Sequence, residues 1–364
     1  MMMMAESAPA SIPQRLCLVR PSALGDVCRT VPILVSLRRA FPEAHIDWLV
    51  QDSFAPAIQA HPDLSGIIPF PRAHFGKFGR SWQATTDFVD WAADLRRRQY
   101  DLVLDCQGLA RSALFTWCTR APRRVGYARA REFASAAYTH RHPCDLSLHT
   151  VDQMLSLLEH EGLTVCRDMQ LYTRPEDSQW WEAEAAKHAI QGDRYAVFAP
   201  TSRWPAKRWP EDRFRSLIDP VLDRGFSHIV IVGTQAERSQ CVSLLEAAGR
   251  DVVVDLMGQT DVGKLMAVLA RAGLVIANDS AALHMAIGFN RRFIALYGPT
   301  NIEAVGPYPL EITQPWVIQH VQVGEPLNHK DTSPGAARMM ERITLQEVIG
   351  VLDNLLAENP PDCP

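Results

Sequence analysis

The sequence predicts an α/β protein of two doubly wound domains facing a central cleft. Three observations carry this. Short apolar runs alternate with longer amphipathic segments through both halves of the chain, the pattern of parallel βαβ units. The alternation lapses over 164–178, where Pro175 and mixed polar residues read as a linker, and restarts near residue 195. The length, 364 residues, suits two cores better than one. The expected division is a domain over 15–175, a second over 176–325, and a loop and helix over 326–364 that pack back on them.

In the first half, RLCLVR at 15–20 is a strand because four of its six residues are apolar. Residues 25–40 follow with helical spacing, interrupted by Pro32. Strands are expected at 45–50 and 66–70, and a long amphipathic helix over 80–99. DLVLD at 101–105 is a further strand, leading through Gln107-Gly108 into a helix over 109–119. A helix over 147–161 closes this half. In the second half, strands at 195–199, 228–232 and 252–255 alternate with helices over 211–224, 235–248 and 261–272. Then come a strand at 274–277, a helix from about 280 and a strand at 293–296. Residues 325–342, rich in Pro, Gly and polar groups, read as loop, and 345–356 as a closing amphipathic helix.

Composition excludes several classes. A 47% apolar, 21% charged chain is an ordinary globular one. Its net charge of −4 gives no overall attraction to nucleic acid or anionic membrane, so anion binding must come from local basic clusters. The eight cysteines form no C-x-x-C pair, which fits reduced thiols in a cytosolic protein better than a disulfide framework or zinc site. No apolar stretch is long enough to span a bilayer. The leading MMMMAESAPASIPQ lacks the basic and apolar regions of a signal peptide and reads as a leader or as alternative starts. Walker, G-x-G-x-x-G and G-x-S-x-G motifs are absent, as are metal-ligand spacings, so no metal or cofactor is expected.

Four constellations remain. In Asn278-Asp279-Ser280…His284 a polar turn joins a strand to a helix, and the backbone N–H groups of Ser280, Ala281 and Ala282 would face a phosphate. Asp279 there suits a sugar hydroxyl or a helix cap; His284 suits the ligand or the core. Asp26, just after the first strand, reads as a general base or as the cap of the next helix. Thr201-Ser202-Arg203-Trp204-Pro205-Ala206-Lys207-Arg208 sets three cations and two hydroxyls at a strand end, either to meet a diphosphate or as a solvated loop. Residues 71–80, with Arg72, Lys77 and Arg80, suit an anionic acceptor or an ordinary surface.

Together these segments resemble glycosyltransferase family 9, the ADP-heptose:lipopolysaccharide heptosyltransferases, and most closely the heptosyltransferase I type. The resemblance rests on RPSALGDVCRTVPIL (20–34), HIDWLVQDSFA (45–55), YDLVLDCQGLARSALFT (100–116), RRVGYARAREFAS (123–135), YAVFAPTSRWPAKRWPEDRF (195–214), and LVIANDSAALHMA with LYGPT (274–300). It implies a GT-B fold of two Rossmann-like domains, acceptor on the first and nucleotide sugar on the second, and an inverting transfer that needs no metal. By position in the motifs, Asp26 resembles the catalytic base and Lys207 the lysine on the donor phosphates. Thr201, Ser202, Glu237, Asp279, Ser280, Ala281 and His284 match donor contacts, with Ala281 standing where a glycine is common. The acceptor is expected against Ser22, Gly25, Gln107, Arg72, Lys77 and Arg80. The implied partners are ADP-heptose and a lipid-linked sugar, with no nucleic acid, and the implied place is the cytoplasm, with peripheral contact at the inner face of the inner membrane. Two other readings stay open. An epimerase or other sugar-nucleotide enzyme on this fold would differ in its need for a second substrate, and a non-catalytic binder would take ADP without transfer.

Overall fold

The computed structural model describes residues 12–333 and 335–357. Most of the leading methionine-rich segment and the last seven residues, with Cys363, lie outside this range.

Twelve strands form two six-stranded parallel sheets. The first holds β1 (Arg15–Val19), β2 (His45–Gln51), β3 (Gly66–Phe70), β4 (Leu102–Asp105), β5 (Arg123–Tyr127) and β6 (His140–His142). The second holds β7 (Tyr195–Ala199), β8 (His228–Ile231), β9 (Val253–Asp255), β10 (Leu274–Asn278), β11 (Phe293–Tyr297) and β12 (Val317–Gln319). Their orders, β3-β2-β1-β4-β5-β6 and β12-β11-β10-β7-β8-β9, are the same doubly wound arrangement used twice. In each, the order reverses beside the first strand, between β1 and β4 and between β7 and β10. The carboxyl ends of those strands carry the polar turns singled out above.

Period-two burial explains β1. Leu16 and Leu18 join the large core, whereas Cys17 and Val19 pack on the other face with Leu49, Phe70, Leu95 and Phe115. Every residue of β7, β10 and β11 is buried, as expected of central parallel strands covered on both faces. Four of the seven described cysteines are buried, and all seven are free thiols.

Several elements depart from the sequence expectations. The helix expected over 25–40 is two, Leu24–Arg29 and Val31–Ala40, because Pro32 starts a new first turn where its missing N–H costs nothing. The 211–224 helix likewise divides into Glu211–Ser216 and Ile218–Leu222, and 235–248 is largely 3-10 in its first half. The linker is cut short by a helix over Pro175–Lys187, with Pro at its start and Glu176 and Asp177 in its first turn, both favourable there. β5, β6 and β12 were not anticipated: β6 and β12 are three-residue strands at sheet edges, too short to show a pattern. Within the 325–342 loop, Arg338–Arg342 is helical. The closing helix, Leu345–Ala357, lies on the second sheet's side, where Arg224 pairs with Asp353 at 2.6 Å.

Candidate functional site

The two domains meet through the short helix Leu24–Arg29 and the helix Ala281–Gly288. A Cβ on Gly25 would come within 2.8 Å of His284 Cδ2, so only glycine lets these helices sit this close. Two cavities flank the junction. One, of about 440 Å³, is lined by Leu24 and by the carboxyl ends of β7, β8 and β10. The other, of about 390 Å³, lies against the first sheet and is lined by Asp26, Arg20 and Gln107. Leu24 and Asp26 thus present one helix to both cavities, each of a size that holds a small ligand.

The second-domain cavity gathers almost all the expected donor residues. Thr201, Ser202, Lys207, Glu237, Asp279, Ser280 and Ala281 line it. Lys207 Nζ lies 2.5 Å from Asp279 Oδ2, which also accepts from Thr300 Oγ1 at 2.8 Å. Burial alone would raise the Asp279 carboxyl's pKa, but the Lys207 charge and these hydrogen bonds hold it below its ordinary value. Asp279 is therefore not the helix cap. Ser280 takes that place, makes no capping hydrogen bond with its side chain, and leaves its buried Oγ unpaired. Glu237 Oε2 accepts from Thr234 N and Oγ1 and from Thr201 Oγ1, tying the β8 turn to the β7 loop. Asn278, at the end of β10, bonds Pro200 O and Trp209 N and so fixes the 200–209 loop on which Lys207 rides.

His284 lies behind this wall. It is buried, and desolvation, reinforced by the Arg29 charge, lowers its pKa to about 3. The imidazole is neutral at pH 7, and its Nδ1 has no partner.

On the first-domain side, Asp26 is clamped. Arg20 Nη2 lies 3.1 Å from Oδ2, Arg29 Nη2 bonds Oδ1, and Ala23 N donates to Oδ2 at 3.2 Å. Burial acts to raise its pKa, but the two guanidiniums outweigh it and push the carboxyl well below the usual range. Asp26 is the third residue of its helix, not the cap: it accepts from the N–H of Ala23, the residue before the helix, and it lines a cavity. Ser22 and Gln107 line that cavity too, with Gln107 Nε2 3.4 Å from Ser22 Oγ. The remaining acceptor candidates fall elsewhere. Gly25 packs on His284, and Arg72, Lys77 and Arg80 line neither cavity. They follow β3, which the sheet order places two strands from β1, and Arg72 reaches only Gln51 Oε1 at 3.4 Å. Arg20, Tyr127, Arg129 and Arg131 line the first-domain cavity instead; RRVGYARAR was visible as a motif but gave no sign of facing this site.

A clasp from the second domain completes the junction. Arg29 Nη1 donates to Val305 O, Thr150 Oγ1 to Ala304 O, and His149 Nε2 lies 3.2 Å from Gly306 O. Among the described residues no cluster of His, Cys, Asp and Glu could hold a metal.

The chain matches glycosyltransferase family 9 (heptosyltransferase) over residues 90–331. It is 31% identical over 304 residues to lipopolysaccharide heptosyltransferase 1 of Pseudomonas aeruginosa, covering 81% of each chain. With lipopolysaccharide heptosyltransferase 3 of Escherichia coli K12 it shares 26% identity over 343 residues, 93% of this chain and 96% of that one. The crystal structure of a family 9 glycosyl transferase from Veillonella parvula superposes with a TM-score of 0.79 at 22% identity, covering 95% of this chain and 98% of that one. E. coli heptosyltransferase WaaC with ADP does so at 0.73 and 24%, covering 94% and 99%. These likenesses extend to the GT-B architecture of two facing parallel sheets, and the chain belongs to glycosyltransferase family 9, a family of heptosyltransferases.

Proposed function

We propose that this enzyme moves a heptose from ADP-L-glycero-D-manno-heptose to a sugar of a lipopolysaccharide inner-core acceptor of the Kdo–lipid A type, with inversion and without a metal. The observation that carries the reading is the single helix Leu24–Arg29 between two cavities, one bounded by Lys207 and Asp279, the other by Asp26. The relatives' names, lipopolysaccharide heptosyltransferases 1 and 3, support the substrate pair.

In this reading the acceptor hydroxyl oxygen attacks the anomeric carbon as its proton passes to Asp26. The bond from that carbon to the diphosphate oxygen breaks, and ADP leaves with the electron pair. Arg20 and Arg29 keep Asp26 ionised and so free to accept a proton, at the cost of basicity. Proton transfer is therefore late, after bond formation has made the attacking hydroxyl acidic. Lys207 and the N–H groups at Ser280 and Ala281 meet the charge growing on the diphosphate. As Lys207 turns to the diphosphate, Asp279 is released to accept from a donor-sugar hydroxyl. In this reading the contact with the acceptor's membrane is peripheral, at its cytoplasmic face; among the described residues no helix is long and apolar enough to cross a bilayer.

A thermal-shift comparison of ADP, UDP, GDP and their sugars tests the donor. ADP forms alone should raise the melting temperature; a uridine preference overturns the assignment.

A further inference from the structure

Residues 72–142 carry thirteen Arg and Lys against six Asp and Glu, in a chain whose net charge is −4. This basic stretch also carries large apolar side chains in solvent. Trp82 is 83% exposed and Phe133 92%, and Phe78, Val89, Leu114 and Trp117 are also exposed.

Their placement is coherent. Trp82 and Val89 lie on the outer side of helix Trp82–Arg97, whose inner side buries Ala84 and Leu95. Leu114 and Trp117, with Arg111, recur at helical spacing on the outer side of Ala110–Cys118, which buries Ala113 and Phe115. The two helices follow β3 and β4, touch one another and cover the same face of the first sheet. Beneath them Phe70, Phe75, Phe88, Trp91 and Phe115 stack as a rigid aromatic layer, with centroids 4.8–6.0 Å apart. Phe78 packs on Phe88 of this layer, whereas Trp82, Trp117 and Phe133 take no part in it. Cations accompany them: Arg120 lies 3.6 Å over the Trp117 ring. Glu132, next to Phe133, accepts from Ala110 N at 3.0 Å, which sets Phe133 at the start of the second helix, on the cleft side of the sheet.

We propose that this face rests on an anionic lipid surface, the rings entering the headgroup layer and the arginines meeting lipid phosphates, so that the adjoining acceptor-side cavity opens at headgroup level. Trp82 and Trp117 suit that layer because the indole is apolar with one polar N–H, Phe133 adds apolar area, and clustered cations bind anionic lipid additively. The inference rests on the acceptor reading above for its purpose, though not for its observations.

The test is flotation of the full-length protein with vesicles of phosphatidylcholine containing phosphatidylglycerol, against phosphatidylcholine alone. The protein should float only with the anionic vesicles and be released by salt. Trp82→Ser with Phe133→Ser, and separately Arg111→Gln with Arg120→Gln, should each weaken binding by about tenfold or more, with unchanged melting temperatures. Absence of flotation, or variants that float like the parent, overturns the proposal. So does a dimer that the same variants dissolve in the absence of lipid. Transfer to a delipidated, water-soluble acceptor sugar, measured on the same samples, separates the two claims. Lipid binding without any transfer sinks the functional reading and leaves the surface standing; transfer without lipid binding does the reverse.

Discussion

Arg29, in the first domain, donates from Nη1 to Val305 O in the second at 2.8 Å. Its other terminal nitrogen bonds Asp26. One guanidinium thus links the junction of the domains to the ionisation of the proposed base.

Replacement of Arg29 by Met should therefore do more than weaken the junction. With one of its two guanidiniums gone, Asp26 rises toward the ordinary carboxylate range, and the acid limb of kcat/KM moves up toward about pH 4. Turnover should fall roughly a hundredfold through misplacement of the carboxylate. Arg29→Lys should keep much of the charge effect and lose the bridge. If Arg29 were only structural, both variants would melt earlier with an unshifted pH profile.

A second pH effect arises from the clasp itself. Burial, with the Arg29 charge adding to it, lowers His149 to about 4, and His284 to about 3. His149 Nδ1 accepts from Val151 N while Nε2 faces Gly306 O, so a second proton would remove the helix cap. Both histidines have folded pKa values below the unfolded one. Their contribution to stability is full above about pH 6.5 and is lost as pH falls toward 4. Asp26 shares the sign but its window lies lower, below about pH 4. Thermal melts should show a decline between pH 6.5 and 4 that becomes shallower in His149→Asn. An equal slope in that variant would remove His149 from the account.

How much of this was legible follows from where each residue's partners come from. The second-domain cavity wall could be read because a strand, a polar turn and a helix are local, and their order alone puts Asp279, Ser280 and Ala281 at the sheet edge. Lys207 could be read as a cation on a strand-end loop, but its pairing with Asp279 joins residues from two crossovers. Arg29 fell inside the helix expected over 25–40 and Arg20 at the end of a strand; their shared grip on Asp26 exists only once both are folded together. Where the 71–80 stretch lies depends on strand order. β3 follows β2 in sequence yet is the outermost strand, so a promising loop ends at the edge of the sheet. Gly25 was correctly marked as a site of close approach, but what approaches is His284 of the other domain.

The Lys207–Asp279 pair allows two roles to be separated. If Lys207 only neutralises Asp279, the double variant Lys207→Met with Asp279→Asn should recover stability and turn over as fast as Asp279→Asn alone. If Lys207 meets the departing diphosphate, the double variant should recover the melting temperature, because no buried charge is left unpaired. It should still turn over on the order of a hundredfold more slowly than Asp279→Asn alone. The second outcome is expected. A chelator should leave the parent's rate unchanged, since the proposed charge balance is carried by this lysine and by backbone N–H groups.

The junction glycine supplies the sharpest steric test. Gly25→Ala would place a methyl 2.8 Å from His284 Cδ2, and a buried ring cannot swing away as the end of a flexible chain can. The helices must move apart, and Asp26, the next residue, moves with them. Turnover should fall at least about tenfold, and the melting temperature should drop. Gly350→Ala is the matched control: it lies within helix Leu345–Ala357 and a Cβ there meets nothing within 4 Å. That variant should gain about 0.5–1 kcal/mol from helix propensity and keep full activity. A Gly25→Ala enzyme as active as the parent would mean that the two helices do not need this contact for transfer, and the coupling of Asp26 to the domain junction would have to be abandoned.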